Sequence, residues 1–246
     1  MRFAIFSDIH ANLEAFEAVM SHMNKQGIDR YICLGDWVGY GPNPTACIEM
    51  GRDIPGLISL AGNHDWAVLN RFNYMSFNKI ALEAIQWTQK RLNKDDRKFL
   101  DDLSLEYSED DMLFVHASPH QPEEWKYVIT SFDAKAGFEE MNRKGAKISF
   151  IGHTHYPGIF RDTGDKEEYK PDASEFSLDE KGQYIINVGS VGQPRDKNPN
   201  ACYVSYDTTS RKLTFHRIPY PVNKVQEKIL NSQLHPLSAV RLSKGY

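Results

Sequence analysis

Apolar and β-prone residues alternate through RFAIF (residues 2–6), and this period of two predicts a strand. The period then changes. In NLEAFEAVMSHMNKQG (12–27), Leu13, Phe16, Val19, Met20 and Met23 fall at helical spacing, and Gly27 marks a stop. That face has the composition of a helix packed on a sheet. RYICLG (30–35) reads as a second strand, PTACIEM (44–50) as a short helix and LISLAG (57–62) as a third strand. Strands alternating with helices predict a parallel sheet. An aromatic loop follows Trp66, then mostly helix to Asp102, with NKIALEAIQWTQKRL (78–92) the clearest segment. MLFVH (112–116) and KISFIG (147–152) are further strands, separated by a helix near FDAKAGFEEMNRKG (132–145).

After residue 156 the texture shifts to short strand-like runs: GIFR, EFSL, QYIINVG, CYVSYD and KLTFHRI. Tight turns such as DEKG between them predict an antiparallel second sheet. RDTGDKEEYKPDAS (161–174) reads as a polar, mobile loop, and the segment from Val222 as a helix with a loose tail. No repeat or linker interrupts the chain, so residues 1–246 are expected to form one domain.

Composition narrows the class. With 41% hydrophobic and 25% charged residues the chain is of ordinary globular character. A net charge of −4 argues against stable nucleic-acid binding. No apolar run approaches the roughly 20 residues that span a bilayer, so no membrane partner is expected. The N-terminus reaches Asp8 too early for a signal peptide. Three cysteines without paired spacing read as reduced thiols, which points to the cytoplasm.

The candidate chemistry lies where strands end. FAIFSDIH, YICLGDW, LISLAGNHD, MLFVH and ISFIGHTH each run from an apolar stretch into Asp, Asn or His. Loops leaving the carboxyl ends of parallel strands gather along one edge of the sheet. Asp8, His10, Asp36, Asn63, His64, His116, His153 and His155 should therefore converge. Five of the nine histidines occupy these positions, which a random scatter would not produce. Imidazole with carboxylate suits zinc, iron, manganese or nickel, and the set contains no thiolate. Its ligands are too many for one four-coordinate ion but match two ions sharing a carboxylate. Two ions about 4 Å apart form a clamp for in-line displacement at phosphorus. P-loop, GxSxG and GxGxxG signatures are absent from the sequence. Taken singly, Asp8 reads as well as a helix-entry residue, and His116 as a core histidine.

Taken in order, DIH, GD, GNHD, VH and GHTH resemble the five signature blocks of the calcineurin-like metallophosphoesterase superfamily, nearest its bacterial and archaeal phosphodiesterase-like branch. The resemblance implies a four-layer sandwich of two mixed β-sheets flanked by helices. It implies two divalent ions, with manganese the one expected to support activity. Asp8, His10, Asp36 and His155 would hold one ion. Asp36, Asn63, His116 and His153 would hold the other, with Asp36 as the catalytic bridge. His64 would protonate the leaving oxygen or steady the transition state, and Asp65 would orient the loop. The serine/threonine phosphatase branch carries GDxVDRG, whereas this chain reads GDWVGYG: Gly39 replaces an aspartate and Tyr40 the phosphate-binding arginine.

Tyr40 is thus a substrate-binding candidate. Arg195, in NVGSVGQPRD, is the candidate to replace the missing arginine, against a structural pairing with Asp196 or Asp207. Asn12 either touches substrate or caps a helix. Trp66, Phe72, Tyr74 and Phe77 either stack on a base or pack their loop, and His120 either lines the pocket or lies on the surface. The expected activity is hydrolysis of a small-molecule phosphodiester, nucleotide or phosphomonoester. The alternatives are a nucleoside polyphosphate or phosphoprotein phosphatase, and a non-catalytic scaffold. Oligomeric state is left open.

Overall fold

The computed structural model describes residues 1–71, 77–162, the backbone of 167–170, and 174–246. In Arg2–Phe6 (β1) the alternation splits the side chains between two cores. Phe3 and Ile5 face inward, between two sheets, where they meet Phe114, Phe150 and Ile186. Ala4 and Phe6 face outward against Phe16 and Val19 of helix Leu13–Met23 (α1). Rings stack at the centre, with Phe114 and Phe150 at 5.2 Å and 10°. Each such side chain contributes about 1.5–3 kcal/mol on burial. A third core lies beyond the second sheet, where Leu113, Val115 and Ile185 meet Phe138 and Met141 of helix Ser131–Lys144 (α2). Helix, sheet, sheet and helix thus form four layers.

The first sheet joins Arg30–Cys33 (β2) and Ile58–Ser59 (β3) to β1 in parallel. On its other side β1 pairs antiparallel with Ala201–Asp207 (β11), followed by Lys212–Ile218 (β12) and Glu175–Ser177 (β9). The second sheet runs Glu106–Glu109 (β4), Met112–Val115 (β5), Ile148–Ile151 (β6), Gln183–Asn187 (β10), Gly158–Asp162 (β7) and Glu167–Lys170 (β8). Strands β5, β6 and β10 are parallel, and the others antiparallel.

Three expectations change. The strands after residue 156 do not build a sheet of their own. They are dealt to both sheets, making each mixed, because β10 and β11 insert beside the parallel strands β6 and β1. Within the segment read as a loop, Glu167–Lys170 is strand, paired with β7. The C-terminal segment is a helical hairpin, Val222–Leu230 (α3) and Pro236–Lys244 (α4), in place of a loose tail. Val225, Ile229, Ala239 and Leu242 bury its inner face. Phe72 and Tyr74 lie outside the described residues. Among the described residues no helix is long and apolar enough to cross a membrane.

Candidate metal centre

Every candidate ligand sits just beyond the carboxyl end of a parallel strand. Asp8 and His10 follow β1, Asp36 follows β2, Asn63 and His64 follow β3, His116 follows β5, and His153 and His155 follow β6. The two sheets face each other, so loops from both meet. Backbone bonds fasten the first two loops together: Asp8 N–H donates to Gly35 O (2.9 Å) and His10 N–H to Asp36 O (2.9 Å). The turns are tight enough that Asp8, His10, Asp36, His153 and His155 all take positive φ, between 47° and 65°. Non-glycine residues adopt that region at an energetic cost, and such strain concentrates at functional sites. A Cβ at Gly62 would overlap Asp36 Oδ1, so only glycine lets the loop after β3 approach this carboxylate.

Asp65 builds the Asp36 turn. Its carboxylate accepts from the backbone N–H of Asp36 (2.9 Å), Trp37 (3.0 Å) and Gly62 (2.9 Å). Burial, then the Asp36 charge, push its pKa up to about 8, against these N–H groups. The His64 N–H donates to Asp36 Oδ1 at 2.9 Å, which leaves Oδ2 for the interior. Oδ2 lies 3.6 Å from His10 Nε2 and 3.4 Å from His116 Nε2.

Backbone carbonyls set the histidine tautomers. His10 Nδ1 bonds Val38 O (3.0 Å), His155 Nδ1 bonds Gln193 O (2.5 Å) and His153 Nε2 bonds Trp125 O (2.9 Å). A carbonyl only accepts, so these nitrogens carry the protons, and the opposite nitrogens carry lone pairs. His10 Nε2 and His155 Nε2 then face each other at 3.1 Å, with Asp8 Oδ1 3.1 Å from the latter and 3.6 Å from the former. Two lone pairs and a carboxylate repel without a cation between them. Ligands about 2.1 Å from a shared ion stand roughly 3.0–3.4 Å apart, close to this spacing. Asp8 Oδ1, Asn63 Oδ1 and both nitrogens of His116 are buried without a hydrogen-bond partner among the described residues. These orphaned atoms and the donor chemistry fit divalent ions. The ligand atoms form overlapping groups: Asp8, His10 and His155; His10, Asp36 and His64; and Asp36, His116 and His153.

Burial holds most of these imidazoles neutral, which is the ligating form. It lowers His153 to about 3, with His116 adding to the effect, and His155 to about 4, with Arg195 adding. His64 is also held well below the usual range by burial. His116 goes the other way, up to about 9: burial opposes the charge, but Asp36 and Asp8 outweigh it. Asp8 stays well below the carboxylate range despite burial because His155 and His10 adjoin it. The cluster thus attracts positive charge at its carboxylates and presents lone pairs around them.

A cavity of about 190 Å³ opens over Asp36, Asn63, His64, His153 and His155. Tyr40 and Arg195 also line it. Arg195 forms neither structural pairing considered for it, since Asp196 pairs with Arg217 and Asp207 with Arg2 at 3.9 Å. Its guanidinium lies 5.9 Å from the Tyr40 ring and donates to Gln193 Oε1 at 3.2 Å. Asn12 belongs to the fold and not to the cavity wall. Its Oδ1 caps α1 through Ala15 N–H (3.2 Å), and its amide donates to Gly192 O (2.8 Å) and Tyr220 (3.3 Å). The substrate contact considered for Asn12 is therefore withdrawn. Phe77 lines the cavity edge-on to His64 at 4.9 Å, while Trp66 packs edge-on against Trp125 at 5.3 Å. His120 stays out of the cavity wall, with Nδ1 3.9 Å from Glu140. The pattern reading missed Asn78, Glu124, Trp125 and Tyr127, which also line the cavity. The last three belong to an irregular connection between β5 and α2 that carries no motif.

A two-sheet sandwich with this His/Asp/Asn cluster at its strand ends is the architecture of a phosphoester-cleaving metalloenzyme class. Residues 1–211 match the family profile of the calcineurin-like phosphoesterase superfamily domain, and the chain belongs to that superfamily. An uncharacterized protein of Methanocaldococcus jannaschii is 38% identical over 246 residues, covering 98% of this chain and 97% of its own. The metallophosphoesterase of Sphaerobacter thermophilus superposes with a TM-score of 0.87 at 35% identity, over 100% of this chain and 99% of that one. A hypothetical protein of Pyrococcus horikoshii OT3 shares the fold at a TM-score of 0.81 and 17% identity, over 100% and 98%.

Proposed function

We propose that the chain hydrolyses a small phosphodiester, nucleotide or phosphomonoester at a pair of divalent ions. One observation carries the reading: the lone pairs of His10 and His155 converge at 3.1 Å beside the Asp8 carboxylate. Asp8, His10, Asp36 and His155 would hold one ion and Asp36, Asn63, His116 and His153 the other. When bound, the ions supply Lewis acidity at phosphorus and bring the pKa of water toward neutrality. The donor set is compatible with Mn, Fe, Zn or Ni, and manganese is the ion proposed to support activity.

The side chains divide the remaining work. Asp36 uses Oδ1 to hold the His64 backbone and turns Oδ2 to the cluster. His64, buried on the cavity wall and held neutral there by desolvation, would take up a proton with the anionic substrate and deliver it to the leaving oxygen. Arg195 supplies a fixed, fork-shaped cation for the phosphoryl oxygens, in the role left open by Tyr40. The cavity is smaller than the ~300 Å³ typical of sites for drug-sized ligands, which favours a phosphoryl group and one adjoining moiety.

The test is turnover of an aryl phosphodiester and an aryl phosphomonoester by metal-stripped protein resupplied with Mn²⁺, Zn²⁺ or Ni²⁺. Metal-dependent hydrolysis of either ester supports the reading. Folded, metal-replete protein that turns over neither is instead a scaffold. Arg195→Ala and Arg195→Lys should both lose kcat/KM at unchanged metal content, and unchanged values in both return Arg195 to a structural role.

A further inference from the structure

Tyr127 lies on the cavity wall with its side chain 51% exposed, although the candidate ligands beside it are buried. One face of its ring stacks on His153 at 4.2 Å and 15°. That contact uses one face and fixes the plane of the other. Among the described residues no second ring covers Tyr127.

The backbone that presents the ring is set in advance. A 3-10 turn, Pro122–Glu124, is bracketed by Gln121 (φ 50°) and Trp125 (φ 54°), both left-handed without being glycine. The Trp125 carbonyl accepts from His153 Nε2 at 2.9 Å, and Val128 is buried on the far side. Tyr127 is therefore held between two anchors. Arg195, the candidate phosphoryl cation, lines the same cavity. A ring so placed lies beside the spot where the organic part of an ester would leave the phosphoryl group.

We infer that Tyr127 is a specificity-determining residue whose outward face stacks on a planar aromatic group, a nucleobase or an aryl ring, carried by the phosphoester. This inference rests on the phosphoesterase reading above. A flat face accepts any π-system without hydrogen-bond readout, and such stacking accounts for about 1–3 kcal/mol per base. Tyrosine loses little entropy in this role because it has only two side-chain torsions.

The experiment is equilibrium calorimetry of Mn²⁺-supplemented protein with the non-hydrolysable phosphonate counterparts of adenosine 5′-monophosphate, phenyl phosphate and methyl phosphate. Wild type, Tyr127→Phe and Tyr127→Leu are compared at metal contents matched by mass spectrometry. The readout is the affinity ratio of each aromatic phosphonate over the methyl one. Tyr127→Leu should cut that ratio by about 5- to 150-fold, the stacking range, while Tyr127→Phe keeps it. A larger cut for the adenosine phosphonate identifies a nucleobase, and equal cuts identify any aromatic ring. If Tyr127→Leu weakens all three phosphonates alike, or none, the ring is only a cover over His153 and the inference fails. If wild type binds none of them and turns over no phosphoester, the phosphoesterase reading falls and takes this inference with it.

Discussion

At the scale of single residues, Gly39 determines where His64 sits. It has φ 90°, and a Cβ there would overlap His64 Nδ1. Gly39→Ala should push the ring off the cavity wall and lower kcat toward the level of His64→Ala, a loss of roughly 10²- to 10⁴-fold if His64 is the general acid. Metal content should persist in both variants. The deficit of His64→Ala should shrink for a nitrophenol leaving group, and an equal deficit for alkoxide and nitrophenol esters assigns His64 to positioning. Asp36→Asn keeps the size but removes the charge facing His10 and His116. It should lower both bound metal and turnover, non-additively with a second ligand change; full metal content with near-normal rate removes Asp36 as the bridge. The ligand candidates were legible because Asp, Asn and His at strand ends are rare enough to stand out. The carbonyls of Val38, Gln193 and Trp125 were not, because every residue carries one and only the fold selects which faces an imidazole.

Among the elements, legibility followed the range of the interaction. Strands β1, β2, β3, β5 and β6 and helix α1 declare themselves by local periodicity. Which sheet the later strands join depends on partners far away in the chain: β11 completes β1, 199 positions apart at Ile5 and Val204. Polar EEYK hides β8 because an edge strand needs no apolar alternation. Strand β12 carries a titration outside the candidate centre. His216 stacks on Tyr203 at 4.5 Å, bonds Ser205 through Nε2 at 2.8 Å, and lies 5.1 Å from the His22 ring. Burial, then His22 and Arg2, lower its pKa to about 4 from 6.5. Between those values the unfolded chain binds the extra proton, so folding stability declines as pH falls from about 6.5 to about 4. Thermal melts across that window should show it, and His216→Gln should reduce the slope by about one proton. An unaltered slope means that His216 titrates alike in both states.

For the whole molecule, the candidate ligands come from both sheets: Asp8, His10, Asp36 and Asn63 from the first, His116, His153 and His155 from the second. Ions bound there would staple the sheets together. Binding at 100 to 1,000 times Kd stabilises by about 2.7–4.1 kcal/mol per site, and 1 kcal/mol moves Tm by about 2–4 °C at this size. Chelation should therefore lower Tm by roughly 5–16 °C for each site emptied, and a chelator-insensitive Tm contradicts tight binding. The seam between β1 and β11 has a further consequence, during synthesis. All seven candidate ligands have been translated by residue 155, yet the second edge of β1 waits for Ala201–Asp207. At about 5–20 residues per second, the nascent chain spends about 3–10 s with its ligands made and β11 still untranslated. During that interval a donor-rich, unpaired strand edge faces the crowded exit of the ribosome. Completion of the sheet that carries Asp8 and His10 and protection of that edge both wait for the same late strand.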